Sequence, residues 1–130
     1  MILGIGSDLT DIRRITQSLE KYEDRFENRV FAEIEQTRAR AQQSPAAAYA
    51  KRFAAKEAFV KSLGTGFAHN INFKDINVSK KRSGKPYLTL SNKLKNILKR
   101  KLKLKKVKIF LSLSDEREYS VAYVITQKIK

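Results

Sequence analysis

The sequence predicts an α+β domain, with a mainly antiparallel sheet packed against one long central helix. Three observations point there. Val107 to Leu113 and Tyr119 to Ile125 alternate apolar and polar residues at the period of half-buried strands, with a hairpin across Ser114–Glu118. Ala46 to Leu63 holds no Gly or Pro, follows a Ser44-Pro45 start signal and ends at Gly64. The chain is 130 residues long and 42% hydrophobic, enough for one core, and no repeat, linker or composition break divides it. Residues 1–130 therefore read as a single domain.

Met1–Ser7 reads as a buried strand in which Ile2, Leu3 and Ile5 are broken by Gly4 and Gly6. Asp11 to Tyr22 spaces Ile12, Ile15 and Leu19 as a helix does, with Asp8 or Thr10 as its N-cap. On the central helix, Tyr49, Phe53, Val60 and Leu63 fall near one face and are expected to point inward. Asn70 to Ser79 is strand-like, the basic loop Lys80–Gly84 turns the chain, and Pro86 to Leu90 makes a second strand. Ser91 or Asn92 caps a further helix whose Leu94, Ile97, Leu98 and Leu102 form a stripe.

Charge and missing residue types narrow the function. Lys and Arg number 28 against 13 Asp and Glu, a formal net charge of +15. Such a field favours polyanionic partners: nucleic acid, phosphate-rich ligands, acidic proteins or an anionic membrane surface. Its distribution is uneven. Residues 76–114 hold no carboxylate, and nine of the sixteen residues 93–108 are basic, which reads as a solvated helix face or as an anion platform. The absence of Cys excludes a disulfide framework, a thiolate nucleophile and Cys-ligated metal, and a single His excludes His-rich metal sites. No apolar run is long enough to span a membrane, and Met1–Thr10 carries no secretory signal pattern, so a cytoplasmic protein is expected.

The residues able to do chemistry cluster on the central helix, in Arg52-Phe53-Ala54-Ala55-Lys56-Glu57-Ala58-Phe59-Val60-Lys61, followed by Gly64-Thr65-Gly66. Glu57 and Lys61, four apart, read as an ordinary surface pair or, among small Ala residues, as part of a site another surface approaches. Gly64-Thr65-Gly66 gives a flexible backbone able to contact phosphate. Asp8 is a helix cap or, if it converges with Glu57, half of a hard-oxygen site suited to Mg2+ completed by water and phosphate oxygens. Ser83-Gly84-Lys85-Pro86 is a turn placing Lys85 at a strand start. His69 has no visible partner, and no Ser-His-Asp or Cys-His set can be assembled.

Gly4-Ile5-Gly6-Ser7-Asp8-Leu9 with Ile12-Arg13-Arg14-Ile15, the Arg52–Gly66 segment, Gly84-Lys85-Pro86 and the hairpin from Val107 to Val124 occur in one order. Together with Phe31 to Glu35, they resemble the holo-acyl-carrier-protein synthases over residues 2 to about 125. The resemblance implies the phosphopantetheinyl-transferase fold. It also implies transfer of 4′-phosphopantetheine from coenzyme A to a serine of acyl carrier protein, leaving adenosine 3′,5′-bisphosphate, in fatty acid biosynthesis. By similarity, Asp8 and Glu57 would hold Mg2+, and Glu57 or a metal-bound water would accept the serine proton. Lys61 would stabilise the phosphates or the departing oxygen. Arg52, Lys85 and the backbone of Gly64, Thr65 and Gly66 would hold the remaining coenzyme A phosphates, with Pro86 beside the adenine. Arg13, Arg14, Lys21 and Arg25 would face the acidic carrier protein, and the family is typically a trimer with sites shared between subunits. One departure stands out: Asp115 follows Ser112-Leu113-Ser114 where the family usually has His. The competing readings are a small basic RNA-binding protein, disfavoured because residues 93–108 carry no stacking aromatics, and an inactive member of the same fold.

Overall fold

In a computed structural model that describes residues 1–129, the chain runs β1 (Ile2–Asp11), α1 (Ile12–Tyr22), α2 (Asp24–Val30), α3 (Glu33–Arg40) and α4 (Pro45–Leu63). A 3₁₀ turn (Phe73–Asp75) follows, then β2 (Ile76–Lys80), β3 (Pro86–Leu90), α5 (Asn92–Lys101), β4 (Lys106–Asp115) and β5 (Tyr119–Ile129). A three-stranded sheet has the order β1-β5-β4 and a two-stranded sheet pairs β2 with β3, all antiparallel. The fold is α+β, as the patterning predicts.

Helix α4 begins and ends where its signals lie. Ser44 accepts from the Ala47 amide, Pro45 takes the first turn, and Gly64 leaves in the left-handed conformation at φ 77°. The expectation of one inward face is corrected: ten of its nineteen residues are buried, on several sides. Ala54, Ala58, Phe59 and Val60 join the core beneath the main sheet, with α5 and β2. Ala48, Tyr49 and Ala50 join a second core with α1, Val30 and Phe31. A helix buried on several sides has no single apolar stripe to read.

Strand β1 departs further from expectation. It is not a buried strand: Ile2, Leu3, Ile5 and Leu9 are exposed, while Gly6 and Thr10 are buried. Nor do the glycines break it. A Cβ added at Gly4 would lie 2.0 Å from the Ser62 carbonyl oxygen, and one at Gly6 would lie 1.8 Å from that of Ala58. The α4 backbone thus rests directly on β1, and only glycine permits the approach. Gly6→Ala is expected to cost about 1–3 kcal/mol through this overlap. Urea unfolding that shows wild-type stability in the variant would contradict the close contact.

Because β1 stays paired with β5 to Asp11–Tyr119, Asp8 and Thr10 remain in the strand. The α1 cap is Asp11 instead, which accepts from the Arg13 amide at 2.9 Å. Helices α2 and α3 lie where apolar periodicity is too short to show them, and α3 turns Glu35, Gln36 and Ala39 inward. The segment expected as a strand from Asn70 starts as turn, with Asn70 at φ 65°, and pairs only from Ile76. Ser91 caps α5, and Leu94 and Leu98 are buried as the stripe predicts.

Candidate active site

The even-numbered residues of β1 face α4, so the glycine contact is followed along the strand by an inward-facing Asp8. Its carboxylate accepts from Thr10 Oγ1 at 2.7 Å and from Lys61 Nζ at 3.2 Å. Lys61 also donates to the Ser7 carbonyl at 3.0 Å, which anchors its ammonium over the strand. Glu57, one turn earlier on α4, is half-buried. Burial first, and the Asp8 charge second, hold its carboxyl above the ordinary glutamate range, with Lys61 opposing. Asp8 and Glu57 line one groove with Thr10, Arg14, Ile15 and Phe53. Three carboxylates line this groove, Asp8, Glu57 and the Arg13-bonded Asp11, and its walls mix apolar Ile15, Phe26 and Phe53 with polar Thr10, Ser18 and Arg14.

This donor set fits Mg2+. Among the described residues no three His, Cys, Asp or Glu gather to form an all-protein metal cage. Magnesium instead keeps several waters and binds through one or two carboxylates plus substrate phosphates. Asp8 and Glu57, which share the groove, are the residues that would hold the ion.

The other expected site residues are not all gathered here. Gly64, Thr65 and Gly66 continue from the α4 end just past Lys61, with both glycines at positive φ. Arg52 points elsewhere, into a second cleft with Ser44, Lys51, Ser79, Lys80 and Leu113. It donates to the Ala48 carbonyl at 3.0 Å, while its Nε is buried without a partner. Burial lowers its proton affinity, and the Glu35 charge opposes that. Lys85 and Pro86 sit at the β2–β3 turn, where the Lys85 carbonyl accepts from the Lys81 amide at 2.9 Å; they line neither cleft. Asp115 turns to Lys51 on α4 at 3.4 Å, away from the Asp8–Glu57 groove. His69 is exposed in the turn.

Of the residues expected to face a partner, Arg13 is already engaged by Asp11 at 3.0 Å and Glu118 at 3.5 Å. Its hydrogen bond to Asp11 raises its proton affinity further. Arg14 lines the groove itself. Lys21 stands 5.2 Å from the Tyr22 ring, and Arg25 borders a hollow with Tyr22, Phe26 and Arg29. Of these four, Arg14 alone lines the Asp8–Glu57 groove.

Sequence reasoning assigned no role to Lys56. Its side chain is fully buried and donates to Glu35 Oε1 at 2.7 Å and to the Val30 carbonyl at 2.6 Å. Glu35 also accepts from the Ala32 amide at 3.1 Å and the Val78 amide at 3.0 Å. The pair ties α3, α4 and β2 together behind the groove. The signal available was a lysine flanked by alanines within a buried helix.

Residues 4–124 match the family model of the 4′-phosphopantetheinyl transferase superfamily. The chain is 48% identical over 127 residues to the holo-[acyl-carrier-protein] synthase of Pelagibacter ubique, covering 98% of each chain. It is 46% identical over 128 residues to that of Bartonella henselae, covering 98% of this chain and 96% of the other. In structure it resembles the holo-[acyl-carrier-protein] synthase of Neisseria meningitidis, with a TM-score of 0.88, 34% identity and coverage of 98% and 100%. A Bacillus anthracis synthase in complex with CoA (3′,5′-ADP) gives a TM-score of 0.81 at 33% identity, covering 99% of both chains.

Proposed function

The chain belongs to the 4′-phosphopantetheinyl transferase superfamily, and on that premise we propose that it uses Asp8, Glu57 and Lys61 to convert apo acyl carrier protein to the holo form in the cytoplasm, for fatty acid biosynthesis. The reaction moves 4′-phosphopantetheine from coenzyme A to a serine hydroxyl. The observation that carries the site assignment is the joining of Asp8 and Glu57 in one groove, with Lys61 bonded to Asp8.

In the transfer, the serine oxygen forms a bond to the β-phosphorus of coenzyme A. The bond from that phosphorus to the bridging oxygen breaks, and adenosine 3′,5′-bisphosphate leaves with the electron pair. A bound Mg2+ supplies charge neutralisation and orientation of the phosphate oxygens. Glu57 accepts the serine proton, its carboxylate lying in the same groove as Asp8. Lys61, held by the Ser7 carbonyl, places its ammonium against the charge developing on the leaving phosphate. The Gly64–Gly66 backbone takes further phosphates, and Arg52, which lines the separate cleft with Lys51 and Ser79, serves a coenzyme A bound across the boundary with a neighbouring subunit.

Lys85 and Pro86 complete the site from a neighbouring subunit of a homotrimer. Support comes from the outer face of the three-stranded sheet, where Ile5 (66% exposed), Leu9 (62%), Tyr123 (56%) and Phe110 (42%) stand in the open. Ile5, Ile125 and Phe110 align across the three strands, an apolar row that single chains rarely leave uncovered. Sedimentation is expected to give a trimer, and a fully active monomer would overturn the shared site.

The decisive experiment is the intact mass of apo acyl carrier protein after incubation with this protein, coenzyme A and Mg2+. A gain of one phosphopantetheine, lost with a chelator, is expected; no gain from folded protein overturns the reading. Arg14→Glu is expected to raise the KM for carrier protein about tenfold while leaving coenzyme A affinity unchanged, because a rim charge acts on encounter with an acidic partner. Equal losses for both substrates would remove Arg14 from docking.

A further inference from the structure

The proposed reaction leaves the basic segment 93–108 without a use. Helix α5 turns Leu94 and Leu98 into the core, so Lys93, Lys95, Lys99, Arg100 and Lys101 are exposed on its outer side. The chain then passes Lys103 and Lys105 into β4, and these two are exposed along with Lys106 and Lys108 of the strand. Among the described residues only Lys93 of these has a carboxylate partner, Asp75 at 3.0 Å. Among the described residues, eight cations of this segment stand without a carboxylate partner.

They do not surround a flat surface. Lys95, Lys105, Lys106 and Lys108 border a groove whose apolar lining includes Leu88 and Leu104. Its sides are the edges that β3 and β4 leave unpaired, since β3 bonds only to β2 and β4 only to β5. An apolar trough with a lysine rim matches an anionic amphiphile: acyl chain along the trough, phosphate at the rim.

We propose that this face docks reversibly on an anionic phospholipid bilayer, with a lipid headgroup at Lys95, Lys105, Lys106 and Lys108. Charge complementarity selects this occupant. The cations are nearly all lysines, point charges without the planar fork that reads nucleic acid, and no aromatic lies between residues 93 and 108 to stack on a base. A sheet of anionic headgroups satisfies many dispersed lysines at once, and no single small anion does. The site goes beyond the transfer reaction and shares none of its residues.

The test is cosedimentation with vesicles of phosphatidylcholine alone and of phosphatidylcholine mixed with phosphatidylglycerol, at low and high salt. Binding is expected only to the mixed vesicles, weakening about tenfold or more at high salt as screening predicts. Lys95→Glu with Lys105→Glu and Lys106→Glu should abolish it, and transfer to carrier protein should stay unchanged. Lys99→Gln with Arg100→Gln, on the solvent side of α5, gives a milder loss without touching a strand. Short-chain phosphatidylglycerol below its micelle concentration should shift the methyl signals of Leu88, Leu90 and Leu104. The proposal is overturned by equal or absent binding to the two vesicle types, by charge variants that bind as wild type, or by single-stranded RNA binding where vesicles do not. Neither coenzyme A nor carrier protein is needed, so these outcomes stand apart from success or failure of the transfer assay.

Discussion

Glu57→Gln is expected to cut phosphopantetheine transfer by about 10²- to 10⁴-fold, the range associated with loss of a positioned acid–base group. Gln keeps the volume of the side chain but loses its charge, so it can neither take up a proton nor draw a cation to Asp8. The fold should not suffer. Burial and the Asp8 charge raise the Glu57 carboxyl in the folded chain, so the ionised form favours the unfolded state. Its contribution to stability is present below the ordinary glutamate range and is lost as pH rises through the raised folded value. With a chelator present, the variant should therefore escape that loss and be at least as stable as wild type at neutral pH. Rates with a saturating carrier protein, together with urea unfolding across this pH window, test both statements. Full transfer by the variant would remove Glu57 from the chemistry.

The second large effect is on stability. Glu35→Ala is expected to cost about 3–5 kcal/mol, because it leaves the Lys56 ammonium buried with only the Val30 carbonyl and the face of Phe31. It also strips the Val78 amide of its acceptor where β2 meets α3. That is a large part of the ~5–15 kcal/mol that holds a domain folded. The pH dependence should steepen in the sense that burial of Lys56 sets. Burial, the largest influence, already lowers the proton affinity of Lys56, and Glu35 opposes it. Without Glu35 the folded chain favours neutral lysine while the unfolded chain stays protonated, so the variant should regain stability as pH rises. Glu35→Leu combined with Lys56→Met should recover much of the loss, since no buried charge remains. A single variant within about 1 kcal/mol of wild type, as for an exposed pair, would show that the ion pair is not structural.

The elements legible in the sequence are those encoded over a few neighbouring residues. Ser44-Pro45 and Gly64 bound α4, Ser91 caps α5, and alternation along 107–113 and 119–125 marks the β4–β5 hairpin. The resemblance carried by Asp8 and the Arg52–Gly66 segment likewise pointed to Asp8, Glu57 and Lys61, which the fold brings together. Other features depend on distant partners. Gly4 and Gly6 look like strand breakers until α4 lies against them, and Leu3 and Ile5 look buried until β5 pairing turns them outward. Lys56 looks like a surface lysine until α3 delivers Glu35 across 21 positions of sequence. Arg52, Lys85 and Pro86 read as neighbours of Glu57, yet one chain keeps them in other places. Caps and periodicity are short-range backbone physics and survive in the sequence; which surface meets a residue is decided by register and packing between segments far apart in the chain, and only the tertiary structure carries that.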